Sequence, residues 1–476
     1  MRQNSDWPWG GKGMVELRRQ RPYGVAMAAL PTLVALNRFG LGARPGDQAL
    51  VGRDPRGFVR QQLSRSALLS APGLDSAAAN LRANRQIEMQ RERQRAAAVA
   101  GVKPPPLPPV EDRIFRAEIS ARFTRLVEID GGLVERLVLF WSNHFAISSA
   151  KGNHVKVMAG AFEREAIRPF VLGRFADMLR AVETHPAMLF YLDNNQSIGP
   201  LSRSGLNSKR GLNENLGREI LELHTMGVDG GYSQADVTAL ARAITGWSVV
   251  WPDEDMIHGG NFAFGPARHE PGAQTVLARS YTEDDQAQGL AVLDDLARHP
   301  ATARHITRKL AAHFIADAPP QALVDQLATV FLTSDGDLGA VIRALVETPI
   351  AWEAPLAKLR PPQEFLVAAM RVIGAVTEPG AVVEMLNNLG QPLWQPTGPN
   401  GWGDTVADWA APQAMTARLD LAAQWGRRND AIDPLGLAEA VFGAGLTRDT
   451  RDAIARAESR RQGLAILLMA PEMHRR

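Results

Sequence analysis

Apolar residues recur at helical spacing in nearly every part of the chain, and Gly, Pro and Asn cut the periodic segments apart. The pattern predicts helices over 47–66, 76–100, 111–149 and 154–182. It predicts a pair over 283–298 and 301–317, broken by His299-Pro300. Others follow near 321–333, 338–348, 362–375, 380–390, 412–427, 435–443 and 448–470. Ser233-Gln234-Ala235-Asp236 has capping-box spacing and starts a helix through about Ile244. Strand signals are confined to 247–282, rich in Gly, Phe and His, which reads as one small β-hairpin. The expected fold is therefore all-α, a large multi-helical single domain over 23–476 whose first core helix runs from Val25 to Leu36. Residues 1–22 read as a leader or disordered segment. Residues 76–110 read as an exposed helical arm ending in a stiff Pro-rich linker at 103–109. The arginines of that arm (Arg82, Arg85, Arg91, Arg93, Arg95) read as a solvated face.

The most polar of the predicted helices runs from Asn213 to Gly227. Asn213 is placed to cap it, Glu214 sits in the first turn where the helix dipole favours negative charge, and Gly227 ends it. At about 100° per residue, Asn215, Arg218, Glu219 and Glu222 share one stripe. Leu216, Ile220, Leu223 and His224 share another, which anchors the helix. An Arg218–Glu222 pair on a solvated face is the ordinary alternative.

Composition narrows the chemistry. The chain has 476 residues and no Cys, which excludes disulfides, thiolate nucleophiles and Cys-ligated metal sites. A net charge of +2 with 53 basic residues leaves room for a local basic surface. It is not the sustained basic excess of a nucleic-acid binder. No apolar run reaches the roughly 18 residues of a transmembrane helix.

The loops between helices carry a high density of functional residue types. They include Trp141-Ser142-Asn143-His144-Phe145, with Lys151, Asn153 and His154 after it; His185-Pro186-Ala187-Met188; Tyr191 to Ser197; Asp229-Gly230-Gly231-Tyr232; Ile244-Thr245-Gly246-Trp247; His269-Glu270-Pro271-Gly272; and Gly398 to Asp404. In these motifs (LNRFGLGARPGD, FWSNHFAIS, HPAMLFYLDN, NENLGREILELHTMGVDGGYSQADV, ITGW, HEPG and GQPLWQP with GPNGW) the chain resembles the bacterial domain-of-unknown-function 1800 family, from Leu36 to about Trp425. The resemblance implies a predominantly helical protein and supplies no reaction, so no catalytic role is carried over. Genes of that family often neighbour those of a second family, number 1501, whose members commonly look exported. That implies a possible partner from the 1501 family and favours a periplasmic or surface location over the cytoplasm.

Several chemistries fit these residues. Ten Trp against four Tyr is a high indole count, and an exposed Trp stacks on a sugar ring while its N–H stays free to donate. The expectation is a polar, Trp-lined cleft that binds an anionic polysaccharide, sulfated or uronic and glycosaminoglycan-like. Trp141, Trp247 and Trp402 would stack, Lys151, Arg218 and Arg242 would contact acidic groups, and Asn143 and Asn400 would complete the site. If the protein is an enzyme, Glu219, Glu222, His224 and His144 are the catalytic candidates. One such enzyme is a redox protein with a side-chain-derived cofactor built from Trp141, His144, Tyr232 and Trp247. Another is a hydrolase using carboxylates or a divalent metal at Glu219 and Glu222, although no HExxH is present. A third class is a non-catalytic export or assembly partner. Asp335-Gly336-Asp337 lacks the remaining ligands of a Ca²⁺ loop and reads as a turn into a helix cap. His305, Lys309 and His313, spaced by four, read as paired surface charges and ordinary helix packing.

Overall fold

The computed structural model describes residues 30–99, 106–208, 211–375 and 378–476. The expected leader at 1–22 and residues 103–105 of the Pro-rich linker lie outside these residues. Among the described residues the chain is 63% helical, with 24 helices and two small antiparallel sheets, so the fold is mostly α. Buried apolar side chains from Leu33 to Met473 form one continuous core.

After short helical segments at Pro31–Leu33, Val34–Arg38, Asp47–Val51 and Pro55–Gln61 come four longer helices: α1 (Ala77–Val99), α2 (Val110–Glu128), α3 (Leu133–His144) and α4 (Asn153–Phe162). Helix α4 packs against both α1 and α2. The expectation of an exposed arm is corrected here, because the first half of α1 is docked. Its small residues Ala77 and Ala78 let it approach closely, and Leu81, Asn80 and Asn84 are buried with them. Three of its five arginines are also held, while Arg93 and Arg95 are exposed as expected. Arg85 pairs with Asp253 at 2.7 Å, Arg91 with Glu111 at 3.1 Å, and Arg82 donates to the Gly259 carbonyl at 2.8 Å.

Two further helices follow, α5 (Phe175–Glu183) and α6 (Asn215–Glu219). Helix α6 continues as a π-helical turn, Ile220–Thr225. The Asn213 Oδ1 accepts from the Asn215 N–H at 3.0 Å, the capping contact expected of it, and Glu214 follows at the start of the helix. A π turn holds an extra residue, so the buried face changes phase partway along. Leu221, His224 and Thr225 join Leu216 and Ile220 in the core, while Leu223 is only half-buried. The straight α-helical stripe of Leu216, Ile220, Leu223 and His224 is corrected accordingly. The Thr225 hydroxyl donates to the Ile220 carbonyl five residues back at 2.6 Å, which fixes the widened turn.

Helix α7 (Gln234–Ala243) starts at the predicted capping box of Ser233 and Asp236. The segment 247–282 holds two hairpins where one was expected. Strands β1 (Trp247–Val249) and β2 (Phe262–Phe264) pair antiparallel, as do β3 (Gln274–Val276) and β4 (Arg279–Tyr281). Leu277 and Ala278 both have φ above +50°, the backbone that a two-residue type I′ turn demands.

Helices α8 (Asp285–Arg298) and α9 (Pro300–Phe314) are divided at His299, which caps α9 by accepting from the Ala301 N–H at 3.2 Å. Helix α9 lies against α8 and against the π turn, and α8 packs on α5. Helix α10 (Pro362–Ile373) crosses α2. The Asp335 turn is tied by Arg298 at 2.7 Å and by Arg174, and Asp337 caps the next helix through the Ala340 N–H.

A buried Lys–His cavity at the end of the polar helix

A helix leaves its last carbonyls without partners inside the helix. At the end of the π turn, two imidazoles from other helices supply them. His305 Nε2 on α9 donates to the Leu223 carbonyl at 3.2 Å, and His144 Nε2 at the end of α3 donates to the His224 carbonyl at 3.1 Å. A carbonyl only accepts, so both Nε2 atoms carry the proton and both Nδ1 atoms are bare acceptors. The His224 ring points the other way. Its Nδ1 is 2.8 Å from Glu183 Oε1, and both side chains are fully buried.

The bare Nδ1 of His144 accepts from Lys309 Nζ at 2.9 Å. Lys309 lines a cavity of about 240 Å³. One wall is the end of α3, with Phe140, Ser142, Asn143 and His144; another is α9, with Lys309 and His313. The start of α10 supplies Gln363 and Glu364, and the loop from Gln391 to Asp404 supplies Trp394, Asn400, Trp402 and Asp404. Asn143 ties that loop down, donating to the Trp402 carbonyl at 2.9 Å and accepting from the Trp402 N–H at 2.8 Å. Trp394 holds φ at +50°, a left-handed backbone that costs a bulky residue about 1–3 kcal/mol and that recurs at functional sites.

The charges around this cavity are matched with one exception. Arg122 pairs with Glu163 at 2.7 Å, and Glu163 is also held by Arg168 and by the Ser142 hydroxyl. Glu364 pairs with Arg136 at 3.0 Å and Arg476 at 3.1 Å. Asp404 pairs with His313 at 2.8 Å, with Lys358 at 3.7 Å and with Arg476. Burial opposes ionisation of Asp404, but Arg476, His313 and Lys358 outweigh it and hold its carboxyl well below the usual range. Burial brings His313 down to about 4 against the pull of Asp404. Lys309 is the exception. Among the described lysines, Lys151, Lys156 and Lys358 each pair with an aspartate, whereas Lys309 pairs with no carboxylate. Burial lowers its ammonium to about 8, although Asp404 pulls the other way. Burial, and then the charge of Lys309, push His144 well below its ordinary value, so the imidazole is neutral.

The sequence candidates divide between this cavity and other places. His144, Asn143, Asn400 and Trp402 line it. His224 lies behind His144, joined through its backbone. Trp141 is only 1% exposed and packs edge-on to His144, with ring centroids 5.3 Å apart. Trp247 is 0% exposed and packs on Phe262. Neither ring has a face open to a sugar, and stacking by these two is corrected. Tyr232 is half-buried among Glu222, Arg218 and Glu219, so only Trp141 and His144 of the four proposed cofactor side chains meet.

Glu219 and Glu222 also lie outside the cavity. Burial raises the Glu219 carboxyl, and Glu222 adds to the rise. Among the described residues no group of three His, Asp or Glu side chains is arranged to hold a metal ion. Arg218 pairs with Glu214 at 3.3 Å, and Lys151 with Asp193 at 2.6 Å. Arg242 is half-buried on α7 with its Nε unpartnered among the described residues.

Of the reading of His305, Lys309 and His313 as paired surface charges and ordinary helix packing, the surface charges are corrected and the packing stands. All three flank the buried stripe of Ile306, Leu310 and Phe314 and face inward. Their adjacency to that stripe was the signal in the sequence. Glu364 and Gln363 carried no such signal, because they reach the site only through the packing of α10.

Among the described residues no helix is long and apolar enough to cross a membrane. No curated protein and no solved structure matches the chain. A family model described as "Protein of unknown function (DUF1800)" matches residues 34–475, nearly the whole length, and the chain belongs to that family.

Proposed function

We propose that the Lys309 cavity binds a small anionic ligand, one acidic sugar unit of a sulfated or uronic polysaccharide. The observation that carries this reading is the ammonium of Lys309, set in the cavity wall with no carboxylate beside it among the described residues. Desolvating such a cation costs less when an anion enters beside it. The volume of about 240 Å³ lies below the roughly 300–1,000 Å³ of drug-sized sites, which suits a single ring. Trp402, half-buried in the wall, offers an aromatic surface, and Asn400, which is exposed, offers a carboxamide to sugar hydroxyls. Compared with the expectation from sequence, the ligand contact moves from Arg218 and Lys151, whose charges are already paired, to Lys309.

The test is titration of the protein with glucuronate, glucose 6-sulfate and glucose, followed by tryptophan fluorescence. The anionic sugars should quench or shift the emission at concentrations at least tenfold lower than glucose. Lys309→Met should weaken glucuronate binding by tenfold or more, while Arg218→Ala should leave it unchanged. Loss of binding in Arg218→Ala with retention in Lys309→Met would place the ligand on α6 and overturn the assignment.

A further inference from the structure

The arrangement around Lys309 provides for more than charge recognition. A lysine that only binds an anion needs to be protonated and accessible. This one has three additional features. It is the described lysine without a carboxylate partner. Its hydrogen-bond partner is a neutral imidazole whose tautomer is fixed by the His224 carbonyl, so Nδ1 can only accept. It opens onto a cavity. Donation of one N–H to His144 Nδ1 orients the nitrogen, and in the neutral amine the lone pair is then free of that bond.

We propose that Lys309 is a nucleophilic amine that condenses with the carbonyl carbon of a small aldehyde or ketone held in the cavity. The substrate class, an acidic sugar at a reducing end that reacts through its open-chain aldehyde, rests on the function proposed above. In the step, the neutral amine of Lys309 attacks the carbonyl carbon and an N–C bond forms. The carbonyl π electrons move to oxygen, which takes up a proton. The nitrogen gives up both of its protons in turn, one matching the proton taken by that oxygen and one joining the hydroxyl as the C–OH bond breaks, so water leaves and a C=N bond remains. One amine and one carbonyl become one imine and one water, with no oxidant or reductant required. A lysine without a counter-charge in a desolvated site is suited to this role, because its charged form is disfavoured and the imine removes the charge. His144 acts as a positioning residue, and Asn143, with both amide contacts spent on Trp402, holds the loop that closes the cavity.

The chain has seven lysines, so adducts are readily assigned by peptide mass. The full-length protein is treated with cyanoborohydride and one of three probes: glyoxylate, glucuronate, or methyl β-glucuronide, whose anomeric carbon cannot open. With glyoxylate and with glucuronate, the first adduct should form on Lys309 at least tenfold faster than on any other lysine. Its rate should rise with pH to a plateau above about pH 8. Methyl β-glucuronide should protect Lys309 without forming an adduct, and Lys309→Arg should give no fast-forming adduct. Modification spread evenly over the lysines would overturn the nucleophile while leaving the binding reading intact, provided methyl β-glucuronide still quenches the fluorescence. Fast glyoxylate trapping at Lys309 with no effect of glucuronate or of methyl β-glucuronide would support the nucleophile and overturn the acidic-sugar reading.

Discussion

The His305 imidazole occupies the space that a side chain on Gly227 would need. A Cβ at Gly227 would lie 2.7 Å from His305 Nδ1, and the residue also holds φ at +85°. The turn that ends the polar helix is therefore shaped around a ring from α9. Gly227→Ala meets both a left-handed backbone and the ring, and should destabilise the protein by about 1–3 kcal/mol. The same variant should displace His305 from the Leu223 carbonyl. Urea unfolding gives the first quantity, and the shift of the His305 imidazole resonance gives the second. An unchanged resonance with unchanged stability would show that the turn can relax away from the ring.

Lys309 should leave a signature in stability as well as in reactivity. The folded protein releases this proton near pH 8, whereas the unfolded chain holds it until about 10.5. The unfolded state therefore binds more protons between those values, and stability gains from Lys309 as pH rises through that window. Thermal unfolding of wild type and Lys309→Met between pH 7 and 10 should show the wild type gaining on the variant by about 1–3 kcal/mol. Parallel curves would mean that the amine titrates as it does in water.

Glu364 has the same sign of effect in the acid range. Burial alone would raise its carboxyl, but Arg136 and Arg476 outweigh it and bring the group down to about 2, against 4.5 for the free side chain. The stabilisation is thus complete above about pH 4.5 and is lost as pH falls toward 2. Glu364→Gln leaves two buried guanidinium groups without their shared partner and should cost about 3–5 kcal/mol at pH 7. The gap from wild type should narrow steadily in denaturant melts below pH 4. A constant gap would show that the loss comes from packing rather than charge.

Much of the helical framework was legible in the sequence, because periodicity and punctuation are local. The His299-Pro300 break, the Ser233 capping box and the Asp337 cap all stand where residue chemistry put them. The winding of 213–227 was not legible. A π turn differs from an α turn by one hydrogen-bond register, and the partners that select it (Glu183, His144 and His305) come from elsewhere in the fold. The candidate site was half legible for the same reason. His144 and Asn143 stood in a polar motif that proves to be the last turn of α3, and Asn400 and Trp402 in a polar loop. Lys309 and His313 lay along a helix whose inward face depends on which neighbours it meets, and Glu364 belongs to a helix far from either in sequence. The polar residues around Trp141 and Trp247 suggest exposure, yet both large rings lie in the core.

The two imidazole caps give the end of the polar helix a further property. That end is a junction where α3, α6 and α9 hold one another through single hydrogen bonds. Fraying there would release His144 and His305 together, and Lys309 would lose the acceptor that orients it. The slow opening of a few backbone amides around residues 223–227, followed by hydrogen exchange, would then set how often the amine is poised, so the reactivity of this cavity would be timed by the breathing of a helix terminus that does not line it.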